Sequence, residues 1–107
     1  MAYAAAAIQA LGDPTRRAVF EQLRGGPRAV GEIARELPVS RPAVSQHLRV
    51  LKGAGLVTDR QEGTRRLYRV DQDGLEELRA YLESFWDDAL AQFKKEVERT
   101  DTERSSE

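Results

Sequence analysis

Residues 40–51 read Ser40-Arg41-Pro42-Ala43-Val44-Ser45-Gln46-His47-Leu48-Arg49-Val50-Leu51. Ser40 is a strong helix N-cap, because its hydroxyl oxygen can accept one of the orphan N–H groups of the first turn. Gly53 and Gly55 supply the stop at the other end. At 100° per residue, Val44, Leu48 and Leu51 fall within about 60° of one another, so one side of this helix is built for burial. The opposite side carries Pro42, Ser45, Gln46, Arg49 and Gly53, which are small or hydrogen-bonding groups without apolar bulk. A helix with an apolar back and a slim polar front fits the major groove of duplex DNA, about 12 Å wide. There Gln46 and Arg49 suit paired hydrogen bonds to A or G edges, with Arg41 and Ser45 beside them, while Ser40 and the helix start suit phosphate.

The flanking segments support this reading. Towards the N-terminus, Val30, Ile33, Ala34 and Leu37 step at helical spacing until Pro38 forbids continuation, so a short helix precedes residue 40 across a tight turn. Before it, Asp13-Pro14 is an N-cap acid with a first-turn proline, and Val19, Phe20 and Leu23 predict a helix over 14–24 that ends before Gly25-Gly26. Residues 3–11 are alanine-rich and predict a first helix with Ile8 and Leu11 available for burial. Towards the C-terminus the period changes: residues 57–62 and 65–70 around Gly63-Thr64 predict a β-hairpin with Arg60, Thr64, Arg65 and Arg66 near its tip. Such a cationic arm beside a groove-reading helix would meet the phosphates, as would Lys52 and His47. The fold class expected is mainly α with a small β-hairpin, a winged helix-turn-helix of four helices, the hairpin and a fifth helix.

That fifth helix carries Leu75, Leu78, Leu82, Phe85, Trp86, Ala89, Leu90, Phe93 and Val97 in one stripe about seven turns long. Its first half is expected in the core. The second half has too little other structure to pack against, so Leu82, Phe85, Trp86, Ala89, Leu90 and Phe93, with Tyr3 and Ile8 of the first helix, are expected to be buried in a symmetric partner. A homodimer would set two reading helices about one DNA turn, roughly 34 Å, apart and calls for an inverted-repeat operator. Residues 1–98 form the expected DNA-binding and dimerisation domain, and residues 99–107 a charged, irregular tail.

The charge is segregated. The 107 residues carry a net charge of -1, yet residues 40–70 hold seven Lys and Arg against two acids, and residues 71–107 hold twelve acids against five bases. A basic reading surface beside an acidic arm suits a polyanion held on one face. The length allows one domain, and 40% hydrophobic with 33% charged residues is globular composition. The chain has no cysteine, which excludes disulfides and thiol chemistry. The apolar run at Ala4–Ile8 lacks the features of a signal peptide or membrane span, so a cytoplasmic protein is expected.

The segments Leu11-Gly12-Asp13-Pro14-Thr15-Arg16-Arg17, Val30-Gly31-Glu32-Ile33-Ala34, residues 40–51 and Ala54-Gly55-Leu56-Val57 closely resemble the ArsR-type winged helix-turn-helix repressors. The resemblance covers about residues 8–98. It implies a dimeric repressor that pairs through its first and last helices and leaves its operator when an effector acts. The family's metal-sensing cysteines correspond here to Ala29 and Gly31, and its alternative site on the last helix uses histidine, whereas the single histidine here is His47. The chain therefore resembles the metal-independent branch, which also has a Phe-Trp pair such as Phe85-Trp86. No metal and no cofactor is expected, and the effector is unknown.

Other chemistry finds little support. Ser45 and His47 point about 160° apart on their helix and cannot act as nucleophile and base. Asp71 and Asp73 lack the glycine and final glutamate of a calcium loop. Glu83 and Asp87 read as a solvated acidic face. An enzyme is not expected. The competing reading is a winged-helix module whose Arg-rich hairpin meets an acidic protein and never DNA.

Overall fold

The computed structural model describes residues 2–105, with the side chains of residues 4–101. The elements run α1 (Ala2–Leu11), α2 (Pro14–Glu21), β1 (Arg28–Ala29), α3 (Val30–Glu36), α4 (Arg41–Gly53), β2 (Val57–Glu62), β3 (Arg65–Val70) and α5 (Gln72–Ser105). The hairpin forms in the expected register, from Val57 opposite Val70 to Glu62 opposite Arg65. It turns at Gly63, whose φ of 63° is a conformation that glycine adopts without strain. The expected two-stranded wing gains a strand, however. Arg28 and Ala29 pair with Tyr68 and Leu67, so β3 is the central strand in the order β1-β3-β2. Two residues are too short to show an alternating pattern, and their pairing is made by a segment 38 or more positions away.

The helix over 14–24 is shorter than expected. After Glu21 the chain tightens into bonds from Leu23 N–H to the Phe20 carbonyl and from Arg24 N–H to the Glu21 carbonyl, 3.0 and 3.1 Å, before Gly26 turns it at φ 131°. Such three-residue bonds commonly close a last helical turn.

Val19, Ile33, Val44, Leu48, Leu51, Leu56 and Val57 are buried, so α2, α3, α4, the loop after α4 and the start of β2 share one core. The first helix joins it through alanines: α1 buries Ala4, Ala7 and Ala10, and Ile8, expected against a partner, is exposed in the single chain. Small side chains let α1 lie close against α5.

Asp71 starts α5, its carboxylate accepting from the N–H groups of Asp73 and Gly74 at 3.1 and 3.4 Å. Gly74 approaches the loop after α4 so closely that a Cβ there would lie 1.6 Å from the Gly55 carbonyl oxygen. The first half of the stripe is not core as expected. Leu78 is buried and Tyr81 half-buried, but Leu75 and Leu82 are exposed. From Leu82 to Asp101 every residue is exposed. A helix of 34 residues is about 51 Å long. The radius of gyration is accordingly 20.2 Å, against about 13 Å for a compact chain of this length. The segment from residue 99, read from sequence as an irregular tail, continues α5 as far as Ser105, following ion pairs such as Arg99–Glu96 and Lys94–Glu98 at helical spacing.

Candidate nucleic-acid interface

Ser40 caps α4 as its sequence suggests, its Oγ accepting from the Ala43 N–H at 3.3 Å. The helix turns Val44, Leu48 and Leu51 inward, which forces Arg41, Pro42, Gln46 and Arg49 outward into solvent and leaves Ser45 half-buried. Gln46 and Arg49, one turn apart, are joined by a bond from Arg49 Nη1 to Gln46 Oε1 of 3.0 Å. This bond orders the two side chains on one patch, and base edges could replace it. Arg41 lies back across the start of α3, where a Cβ on Gly31 would come within 2.6 Å of its Nη2.

His47 sits apart from this patch. It is half-buried, its Nδ1 is enclosed with no hydrogen-bond partner among the described residues, and its ring is close enough to act on Asp13 at the start of α2. The Asp13 carboxyl is held below its ordinary range first by the Arg16 backbone N–H, 2.9 Å away.

On the wing, Arg60, Thr64, Arg65 and Arg66 are all exposed, as is Lys52 in the last turn of α4. Each of these cations has a carboxylate partner within the chain. Arg60 meets Glu62 at 3.1 Å, Arg65 meets Glu32, and Lys52 and Arg66 share Asp59 at 2.7 and 2.6 Å. Asp59 is the covered member, its side chain only 7% exposed. Lys52 chiefly, then Arg66, hold its carboxyl below the ordinary range against the opposing effect of burial. Glu32 is also held low, first by the Ala29 N–H at 3.0 Å and then by Arg65. Sequence reasoning passed over both acids. For Asp59 the available signal was composition, since Asp59 and Glu62 are the sole acids of residues 40–70; Glu32 lies outside that block. Arg69 lies elsewhere, lining a cleft of about 740 Å³ with Phe20, Leu23, Arg24 and Leu75.

A buried-backed helix, a tight turn before it and a cationic hairpin after it are the parts of a DNA-reading head. A helix-turn-helix domain model matches residues 11–60. The HTH-type transcriptional regulator Rv2034 of Mycobacterium tuberculosis is 59% identical over 92 residues, 86% of this chain and 86% of that protein. Among solved structures, an ArsR-like transcriptional regulator from Rhodococcus sp. RHA1 superposes with a TM-score of 0.74 at 33% identity, covering 88% of this chain and 92% of that one. The homodimeric winged helix-turn-helix domain of Mb0332 from Mycobacterium bovis, a possible ArsR-family regulator, superposes with a TM-score of 0.65 at 33% identity, covering 82% of each chain. The chain belongs to the ArsR-type winged helix-turn-helix transcriptional regulators.

As an ArsR-type regulator it is a DNA-binding protein of transcription control, and α3 and α4 are its helix-turn-helix. Ala29 and Gly31, where metal-sensing relatives are expected to carry thiols, stand at the N-cap and in the first turn of α3. Among the described residues no three His, Asp or Glu side chains are grouped to hold a metal ion. None of the described helices is long and apolar enough to cross a membrane. Of the expected pairing residues, Ile8, Leu82, Phe85, Trp86, Ala89, Leu90 and Phe93 are uncovered in the single chain. The Tyr3 side chain lies outside the described residues.

Proposed function

We propose that the protein is a homodimeric repressor that binds an inverted-repeat operator, its own promoter among the candidate sites, and that it works in the cytoplasm without a thiophilic metal. The observation that carries this reading is the division of α4 into a fully buried row, Val44, Leu48 and Leu51, and an exposed polar row, Arg41, Gln46 and Arg49, with the wing beside it. Arg41, Ser45, Gln46 and Arg49 enter the major groove and read base edges, with Pro42 beside them on the DNA-facing side. Ser40, His47, Lys52, Arg60, Thr64, Arg65 and Arg66 hold the backbone, which fixes register without reading sequence. The exposed stripe of α5 is the surface for the second copy: Phe85, Trp86, Leu90 and Phe93 are 57–68% exposed at helical spacing, a run of large apolar side chains of the kind that marks an association surface. A relative of similar fold is named as homodimeric, which supports the same assembly.

Selection of bound fragments from genomic DNA, followed by footprinting, tests the reading. The expected result is a protected palindrome whose half-sites lie about one helical turn apart. With six to ten phosphates neutralised, the logarithm of affinity should fall against the logarithm of salt with a slope of about -5 to -9. Affinity independent of salt, or no protected palindrome, would sink it.

A further inference from the structure

We propose that Asp59 is a positioning residue for DNA binding, which locks the wing to the end of the recognition helix through Lys52 and Arg66. The inference rests on the DNA-reading assignment above. Lys52 lies in the last turn of α4 and Arg66 one residue into β3, so the bridge spans the two elements that must touch the duplex together. Both carboxylate oxygens are used, Oδ1 by Lys52 and Oδ2 by Arg66. The acid is 7% exposed while its partners are 54% and 51% exposed, so the cations cover it from the solvent side. A carboxylate so enclosed is costly to leave unpaired, which favours the closed bridge.

The position in the sheet gives the bridge its leverage. β2 is an outer strand, paired to β3 alone, and otherwise meets the body where it packs on α4. Asp59 stands opposite Tyr68 in the middle of that strand, and Arg66 lies diagonally across from it towards the tip. The carboxylate therefore ties the wing's angle to α4. It also keeps two of the backbone-holding cations, Lys52 and Arg66, paired until a duplex that fits the fixed angle offers them phosphates, so that they are less available to DNA in general. Both effects act in one direction, favouring sites that fit a fixed angle between helix and wing over DNA in general.

Asp59→Asn keeps the shape and removes the charge. The probes are the duplex recovered by selection and a random-sequence duplex of equal length, each titrated at several salt concentrations. In the variant, affinity for the selected duplex should fall about tenfold, the size expected for a broken network of this kind. Affinity for the random duplex should hold or rise, its salt slope steepening by up to about 2 as Lys52 and Arg66 become available. Asp59→Glu, which retains the charge, should keep the wild-type slope on random DNA. A parallel loss on both duplexes with unchanged slopes would reduce Asp59 to a fold-stabilising residue and overturn the inference. So would an unchanged ratio of selected to random affinity, or a slope that steepens equally in the Glu variant. If the wild-type chain selects no duplex at all, the DNA-reading assignment falls and this inference with it; if it does and only the ratio fails to move, this inference falls alone.

Discussion

The head of the molecule and its arm are both helical, but they are held in different ways. In the head, α2, α3 and α4 each send at least one side chain into a shared core. In the arm every residue from Leu82 to Asp101 is exposed, although Phe85, Trp86, Leu90 and Phe93 are as apolar as the core. Burial of large side chains at about 25 cal/mol per Å² stabilises the head from within. For the arm the same free energy is available only from another molecule. Under the proposed function the contrast gives the two regions separate roles: one recognises, and the other couples recognition events by joining two heads.

Breaking the arm should cost most. Trp86→Asp puts a charge in the middle of the apolar stripe, and sedimentation should then show single subunits. With one head per molecule the selected operator should bind at least about 100-fold more weakly, the gain that linkage of two sites commonly confers. Undiminished operator affinity in a monomeric variant would erase the division of roles.

The next test sharpens the contrast in stability. Leu48→Ala in the head should cost about 2–5 kcal/mol in urea unfolding at any protein concentration. Leu90→Ala in the arm should cost a comparable amount only where dimers dominate and little in dilute protein. Equal, concentration-independent costs at both sites would mean that the arm is covered within one chain.

Within the head, Arg49→Ala should weaken the selected operator by about 1–3 kcal/mol and random DNA much less, measured by parallel titrations. Equal losses would move Arg49 from reading bases to holding phosphate.

The smallest effect expected is in pH dependence. Asp13, Glu32 and Asp59 all lie in the head, and their carboxyls are held below the ordinary range. A lowered folded-state pKa contributes stability above the ordinary carboxylate value, about 4, and that contribution is lost as pH falls through it. The urea midpoint of the head should therefore stay level from about pH 7 to 5 and decline below about 4. A midpoint that rises on acidification would contradict the pairings described.

What the sequence disclosed follows the range of the interactions involved. The bounds of α4 and of the hairpin were legible because Ser40, Pro42, Gly53 and Gly63 act locally, each on backbone within a few residues. β1 was not, because Arg28 and Ala29 become a strand only by pairing with Tyr68 and Leu67. The periodicity of α5 was plain, but periodicity marks a face and not its cover, so the exposure of Leu75 had no local signal. The same holds for α1, where no local signal showed that Ala4, Ala7 and Ala10 would face the core. At the interface, the cations were evident one by one, whereas their carboxylate partners Glu32 and Asp59 required knowledge of which strand lies against which helix.

The near-contact of Gly74 with the Gly55 carbonyl makes the root of the arm a pivot seated directly behind the reading helix. Backbone meets backbone there, with no rotamer to take up slack. A swing of roughly 5° at that seat would move a point 26 Å away, the second extent of the chain, by about 2 Å, an appreciable error against the roughly 34 Å pitch of the proposed half-sites. In the proposed dimer these two glycines would act as a calliper joint, and a methyl group added at Gly74, 1.6 Å from the Gly55 oxygen, would force the seat open and alter the span.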